Sequence, residues 1–448
     1  MASRRLLLLI LCFALALRLI FALAQDPLAP YADRNNDAGW YLGNAYALVT
    51  GQSPARMITD VSNLASPPLY FLVLGIPQAM LSPAGAVIAV RVLQAILSTA
   101  TVYFAYRLAV LLTGREGAGL LAAGVLAISP AFIIEASQLL TETLYIFLIA
   151  GGVWLYIETI LNRQDAKIAK KDESVGAQRA APLQNPRSMG WLILAALCFG
   201  LATLTRAVFL AFPFALAVHL IMVRRWRKGW RLAALFLLVY ALVVSTWTVY
   251  SVARWNRFVI AGEGLPAFLY IGATGWNGAT QVDQSLAQQS PDKNYLQAAE
   301  STISGDPVGW VKHRVSELAN AYLQPHGTTF FPGASLKEQA LDWLHQDRTV
   351  GGLIALTQGA GFWPKLALYA LHTVGLIAGL IGMWLYRRRW VIALPMISFI
   401  IYVTLVHLAL LALPRYLFPT EIFWWIFAAA AFQRLLARLT RRRIELTA

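Results

Sequence analysis

The stretch Arg4-Arg-Leu-Leu-Leu-Leu-Ile-Leu-Cys-Phe-Ala-Leu-Ala-Leu-Arg18-Leu-Ile-Phe-Ala-Leu-Ala24 is followed closely by Asp33-Arg-Asn-Asn-Asp37-Ala-Gly-Trp40-Tyr41. The first segment is long and apolar enough to cross a bilayer core, and it leads into an acidic, aromatic segment at its far side. Similar apolar runs recur to the end of the chain. Over 448 residues the composition is 58% hydrophobic and 13% charged, with mean hydropathy +0.58. A soluble domain carries roughly twice that charged fraction. The chain therefore reads as an all-α polytopic membrane protein.

The net charge of +15 raises nucleic acid as a partner, but its distribution argues against one. Basic residues gather in short segments: Arg4-Arg5, Arg163 to Arg187, Arg224 to Lys228, Arg387 to Arg389 and Arg434 to Arg443. No basic stripe with interleaved aromatics is present. Such clusters mark cytoplasmic loops under the positive-inside rule. The long segments between them, 25–66 and 253–364, are close to charge-balanced. Cys12 and Cys198 both sit in apolar runs, so no disulfide framework is implied. Arg4-Arg5, the apolar run and Ala22-Leu23-Ala24 resemble a signal peptide, but Arg18 interrupts the run and favours an uncleaved first helix.

With the basic clusters inside, ten transmembrane helices follow, over about 6–24, 86–112, 118–134, 142–161, 189–205, 207–223, 232–252, 366–386, 391–412 and 416–434. The stretch 67–82 is broken by prolines and reads as a juxtamembrane helix at the outer face; as a full span it would place Arg163 to Arg187 outside. The organisation is then an N-terminal module, 1–252, with a first outer loop at 25–85, a large extracytoplasmic loop at 253–364, and C-terminal helices with a basic tail at 365–448. Both termini fall on the cytoplasmic side of the plasma (inner) membrane. The large loop carries Trp276, Trp310, His313, His326 and Trp343, which suit a wet membrane interface.

This topology draws Arg18, Arg91, Glu135, Glu142, Arg206 and Arg415 into one layer at the outer face. A charge at mid-helix costs roughly 2.5–3.5 kcal/mol, so such residues usually face a polar cavity and partner one another. The expectation is a polar outer site holding carboxylates and guanidiniums, the latter suited to phosphate. His219, His372 and His407 stand isolated on apolar helices and read as packed residues. No metal box, Walker motif or dinucleotide fingerprint occurs.

Four motifs in order resemble the GT-C glycosyltransferases, nearest the protein O-mannosyltransferase-like and aminoarabinose transferase-like branch. They are Asp37 with Tyr41, Ala45, Gly51 and Pro67-Pro68-Leu69-Tyr70; Leu140-Thr141-Glu142; Gly200 to Thr205-Arg206; and Pro414-Arg415-Tyr416 to Pro419. The resemblance implies an enzyme that inverts a sugar from a polyprenyl-phosphate donor onto a hydroxyl of a lipid, glycan or protein acceptor at the extracytoplasmic face. It implies Asp37 as general base and Glu142 as the second catalytic acid. Arg206, Arg415, Tyr416 and Arg91 are the expected donor-phosphate contacts, and Tyr41, Tyr70 and Asp33 the expected substrate contacts. Ala38 stands where many relatives carry a second acid, which speaks against a metal site; a divalent cation stays open as the one candidate cofactor, with Asp33 as the substitute ligand.

Two other classes fit a polytopic chain of this kind. A lipid or polysaccharide transporter or flippase would keep its charges near the midplane within internal repeats. An O-antigen polymerase or ligase would rest on arginines and a histidine of the late loop.

Overall fold

The computed structural model describes residues 2–32, 37–51, 66–173, 186–224, 226–274 and 295–447. Among them there is no strand, and the chain is a bundle of helices. In order these are α1 (Ala2–Leu23), α2 (Asp37–Thr50), α3 (Leu69–Met80), α4 (Pro83–Thr113), α5 (Glu116–Ile128), α6 (Pro130–Glu135), α7 (Glu142–Glu173), α8 (Pro186–Thr203), α9 (Phe212–Arg224) and α10 (Trp226–Trp255). The late segment supplies α11 (Leu265–Thr274), α12 (Tyr295–Gly305), α13 (Pro307–Leu323), α14 (Leu336–Asp342) and α15 (Val350–Gln358). Then come α16 (Phe362–Tyr386), α17 (Trp390–Ala409) and α18 (Glu421–Thr447).

Seven described segments are long and apolar enough to cross a membrane, and one of them, Phe362–Ala409, is the pair α16 and α17. Helix α5 and Met189–Thr203 of α8 are apolar but shorter. Each of the ten expected spans is largely helical; the span 207–223 opens with a short turn before α9, the span 391–412 ends at Ala409, and two further differences fall at prolines. The third expected helix, 118–134, breaks into α5 and α6 at Ser129-Pro130, because proline lacks an N–H and pushes the residue before it out of helical geometry. The last begins at Glu421 instead of 416, after two short turns, Pro414–Leu417 and Phe418–Thr420, each with a proline in its first two positions.

Helix α4 shows how local sequence sets the length of a span. The Ser82 side chain accepts from Gly85 N at 3.2 Å and Pro83 opens the first turn. At the other end Gly114 adopts φ 72°, a left-handed cap whose N–H returns to Val110 O. The intervening 31 residues extend about 46 Å at 1.5 Å per residue.

The two ends of the bundle differ in charge. At one, arginines donate to carbonyls near helix ends: Arg389 to Leu112 O (3.0 Å) and Arg434 to Leu385 O (3.3 Å). Carbonyls left over at helix C-termini favour cations. The opposite end carries Asp37, Glu135, Glu142, Arg206 and Arg415 at helix termini and turns.

Between the ends the core is aromatic and tightly packed. Phe209, Phe212 and Phe423 each lie within 5.3–6.1 Å of Phe399, ring centre to ring centre. Helices α16 and α18 touch backbone to backbone at Gly382, where a Cβ would sit 2.0 Å from Phe427 O. Small residues permit such approach between membrane helices, where dispersion and not water exclusion holds them together. Leu318, Ala321 and Tyr322 of α13 pack into this same core, so the late segment is fastened to the bundle.

Candidate functional site

Glu142 is the first residue of α7 and its side chain is 0% exposed. A helix N-terminus presents unpaired N–H groups and the positive end of the helix dipole, which favours a carboxylate there. Two guanidiniums meet it. Arg206 Nη1 donates to Oε1 at 3.2 Å. Arg415 donates to Oε1 through Nε and to Oε2 through Nη2 at 3.4 Å. The Thr141 hydroxyl adds a bond to Oε2 at 3.3 Å.

Arg415 also reaches outward, with Nη1 donating to Oδ2 of Asp37, the first residue of α2. The Asp37 side chain is 62% exposed. One guanidinium therefore joins a sequestered carboxylate to an accessible one. Glu142 is already saturated with donors, whereas Asp37 can meet an incoming hydroxyl. The four groups sum to zero charge, two carboxylates against two guanidiniums.

Aromatic rings hold the cations in place. Arg206 lies over Tyr145 at 5.6 Å and over Tyr416 at 5.3 Å, and Tyr416 stacks on His407 at 5.2 Å. His407 Nδ1 is paired with Leu411 O at 2.8 Å. Arg206 itself is extended (φ −143°), placed there by the break between α8 and the turn Ala207–Phe209.

The other expected site residues lie as follows. The ring of Tyr41 meets Tyr70 edge-on at 5.4 Å. Tyr70 is buried and donates its hydroxyl to Gln94 Oε1 at 2.8 Å. Burial first, and then the Glu142 carboxylate, raise the Tyr41 phenol above its ordinary value, so it remains a neutral O–H donor. Arg91 makes none of the carboxylate contacts. Its guanidinium donates to the carbonyls of Ser137 (3.2 Å), Gln25 (3.0 Å) and Asp26 (3.4 Å). Asp33 and Trp276 lie outside the described residues.

The expected convergence of all the intramembrane charges needs correcting. Arg18 is buried and donates to Leu126 O (2.9 Å), Ala127 O (3.1 Å) and Ser98 Oγ (2.7 Å). The reason is the break at Ser129-Pro130, which leaves the last carbonyls of α5 without intrahelical partners. Arg18 is thus a helix cap. His372 is not isolated either, since it pairs with Glu421 Oε1 (2.9 Å) and Tyr322 O (2.8 Å).

Sequence reasoning did not foresee a second buried pair beside the cluster. His326 Nε2 lies 2.8 Å from Glu135 Oε2, and the imidazole packs on Phe418 at 4.6 Å. The Glu135 carbonyl accepts from Thr143, next to Glu142, at 3.2 Å. The two partners are 191 residues apart, and no local pattern links them. Among the described residues, no group of three or more His, Cys, Asp or Glu side chains is placed to hold a metal ion. Both carboxylates of the cluster already face guanidiniums.

Known proteins can now be compared. Residues 40–272 match the family model described as dolichyl-phosphate-mannose-protein mannosyltransferase. No curated protein matches the chain by sequence. In structure the chain is similar to the oligosaccharyltransferase of Archaeoglobus fulgidus in its apo form. The TM-score is 0.54 at 13% identity, over 99% of this chain and 52% of that one. It is similar also to that enzyme tethered by a disulfide to an acceptor peptide containing the NVT sequon, with TM-score 0.54 at 14% identity over 98% and 50% of the two chains. At such identity the likeness is one of fold, and the chain spans about half the length of the oligosaccharyltransferase structures it matches. The family match takes in more than half of the chain, including Tyr41, Glu142 and Arg206. By that match the chain belongs to the dolichyl-phosphate-mannose-protein mannosyltransferase family, and its all-α fold is that of a GT-C membrane glycosyltransferase.

Proposed function

We propose that this protein transfers a sugar from a polyprenyl-phosphate carrier to the hydroxyl of an acceptor, inverting the anomeric centre, with Asp37 as general base. The observation that carries the reading is the single Arg415 guanidinium held between buried Glu142 and exposed Asp37. Guanidiniums suit phosphate oxygens, and preorganised cations in a water-poor site ease departure of a charged phosphate. The family description, with its dolichyl-phosphate-linked sugar, agrees with a lipid-phosphate donor.

The donor phosphate takes the edge of Arg415 on which Asp37 rests, with Arg206 beside it. Asp37 is released toward the acceptor. The acceptor oxygen forms its bond to the anomeric carbon, and the bond from that carbon to the phosphate oxygen breaks. The electron pair leaves with the polyprenyl phosphate, and the hydroxyl proton passes to Asp37. Glu142 keeps both guanidiniums aimed. Tyr416 supports Arg206, and Tyr41, behind Asp37, offers a neutral hydroxyl to the substrate.

The arginine-rich end of the bundle faces the cytoplasm by the positive-inside rule, which sets the carboxylate end on the extracytoplasmic side. The acceptor is a lipid, a glycan or a protein. The test is incubation of the purified protein, in lipid, with a panel of radiolabelled polyprenyl-phosphate sugars. Consumption of one, abolished by Asp37→Asn, is the expected result. Failure of the whole panel, or full turnover by the variant, would overturn the reading.

A further inference from the structure

Helix α13 carries an ion pair that the transfer chemistry does not use. Arg314 is 1% exposed and its Nη2 donates to Glu317 Oε2, one turn on along the same face. One remaining donor and the carboxylate meet one short segment of chain, and the other donor holds α11 beside it. Arg314 Nε donates to Leu408 O at 3.2 Å, and Nη1 donates to Gly272 O. Glu317 Oε2 accepts from Ala412 N at 3.2 Å. Gly272 closes the box, for a Cβ there would lie 2.5 Å from Leu410 O. Segment 408–412 is therefore gripped from the late loop by α11 and α13, and from its own helix by His407 on Leu411 O.

This segment runs straight into the site. Leu413 is extended and Pro414 opens the short turn that presents Arg415 and Tyr416. Proline fixes its own φ and restricts the residue before it, so little freedom separates Ala412 from Arg415. A buried ion pair rarely adds stability over apolar side chains of the same volume. Burial lowers the Arg314 guanidinium to about 10, which still leaves it charged at neutral pH and in need of Glu317. Such a pair is better explained by the geometry it imposes.

We propose that Arg314 and Glu317 are positioning residues that set the Arg415 guanidinium in register with Glu142 and Asp37. The inference rests on the reading of Arg415 as the donor-phosphate contact. It makes the late loop part of the donor grip, not a separate cap.

The test uses the full-length protein in nanodiscs with a polyprenyl phosphate as probe. Arg314→Met and Glu317→Ala should each weaken its binding by roughly tenfold, the worth of a hydrogen bond to a charged group. The donor KM should rise more than kcat falls. Glu317→Gln keeps an oxygen for Ala412 N and should recover most of the affinity. Amide exchange should quicken in 408–418 and stay unchanged in α4 and α7, which also shows that the variants are folded. Adding Arg314→Met to Arg415→Ala should weaken binding no further, because both act through one guanidinium. Unchanged affinity in folded Arg314→Met and Glu317→Ala, or additive losses with Arg415→Ala, would overturn the positioning role. If Arg415→Ala alone binds the probe like the wild type, the phosphate grip itself is wrong, and the role built on it falls with it. Should Arg314→Met not fold, Glu317→Ala against Glu317→Gln decides.

Discussion

Replacing Asp37 by Asn removes one charge from the cluster with almost no change in shape, and the structure separates its consequences. The side chain is 62% exposed, so its pair with Arg415 ranks with surface ion pairs worth about 0–1 kcal/mol. Stability should fall by no more than that, a shift in Tm below about 2–4 °C. The same energy bounds the competition between Asp37 and a phosphate for Arg415. Removing the competitor should tighten binding of polyprenyl phosphate by at most about fivefold. Turnover should move the other way, since loss of a positioned general base lowers kcat by about 10²–10⁴-fold. The assays are sugar transfer from the radiolabelled donor under saturating conditions, binding of polyprenyl phosphate in nanodiscs, and thermal unfolding. A folded variant that keeps kcat within about tenfold of wild type would refute Asp37 as the base. A variant whose binding weakens in step with its rate would show that Asp37 holds the donor instead.

Glu142→Gln leaves Arg206 without a carboxylate partner and Arg415 with only the exposed Asp37. Breaking a buried ion pair from one side costs about 3–5 kcal/mol, so thermal unfolding should show a large loss, and an unchanged Tm would contradict the placement of Glu142. Arg206→Lys keeps the charge but not the planar face that lies over Tyr145 and Tyr416. Donor KM should rise, by less than for Arg206→Ala, and a KM unchanged from wild type in Arg206→Lys would show that the rings play no part. Gly382→Val drives a side chain into Phe427 O, and overpacking of this kind should destabilise by at least about 1–3 kcal/mol. Cysteines at 388 and 300 should be labelled from opposite sides of the membrane, 388 from the cytoplasm; labelling of both from one side would break the proposed topology.

The helices were legible because span length and apolar composition are local properties, whereas the breaks at 130 and 414 were missed although each follows from a single proline. Glu142 and Arg206 could be placed at helix ends because hydropathy marks where apolar runs stop. What hydropathy does not mark is which end-layer charge meets which. Arg18 and Arg415 look alike in sequence, each an arginine beside apolar residues, yet one caps α5 and the other bridges two carboxylates. The difference lies in which partners each guanidinium meets across the bundle, and that follows from tertiary packing. The pairs His326–Glu135 and His372–Glu421, 191 and 49 residues apart, were hidden for the same reason.

The order of the chain gives the four-group cluster a history during synthesis. Asp37, Glu142 and Arg206 all precede residue 253, whereas Arg415 follows the entire late loop. At a translation rate of about 5–20 residues per second, the interval between Arg206 and Arg415 lasts roughly 10–40 s. Throughout that interval the nascent bundle holds two carboxylates against one guanidinium and is out of balance by one negative charge. Insertion of the last two helices restores neutrality and closes the site in the same event. A ribosome-stalled chain ending before Arg415 should thus expose Glu142 to carboxylate reagents that cannot reach it in the finished protein.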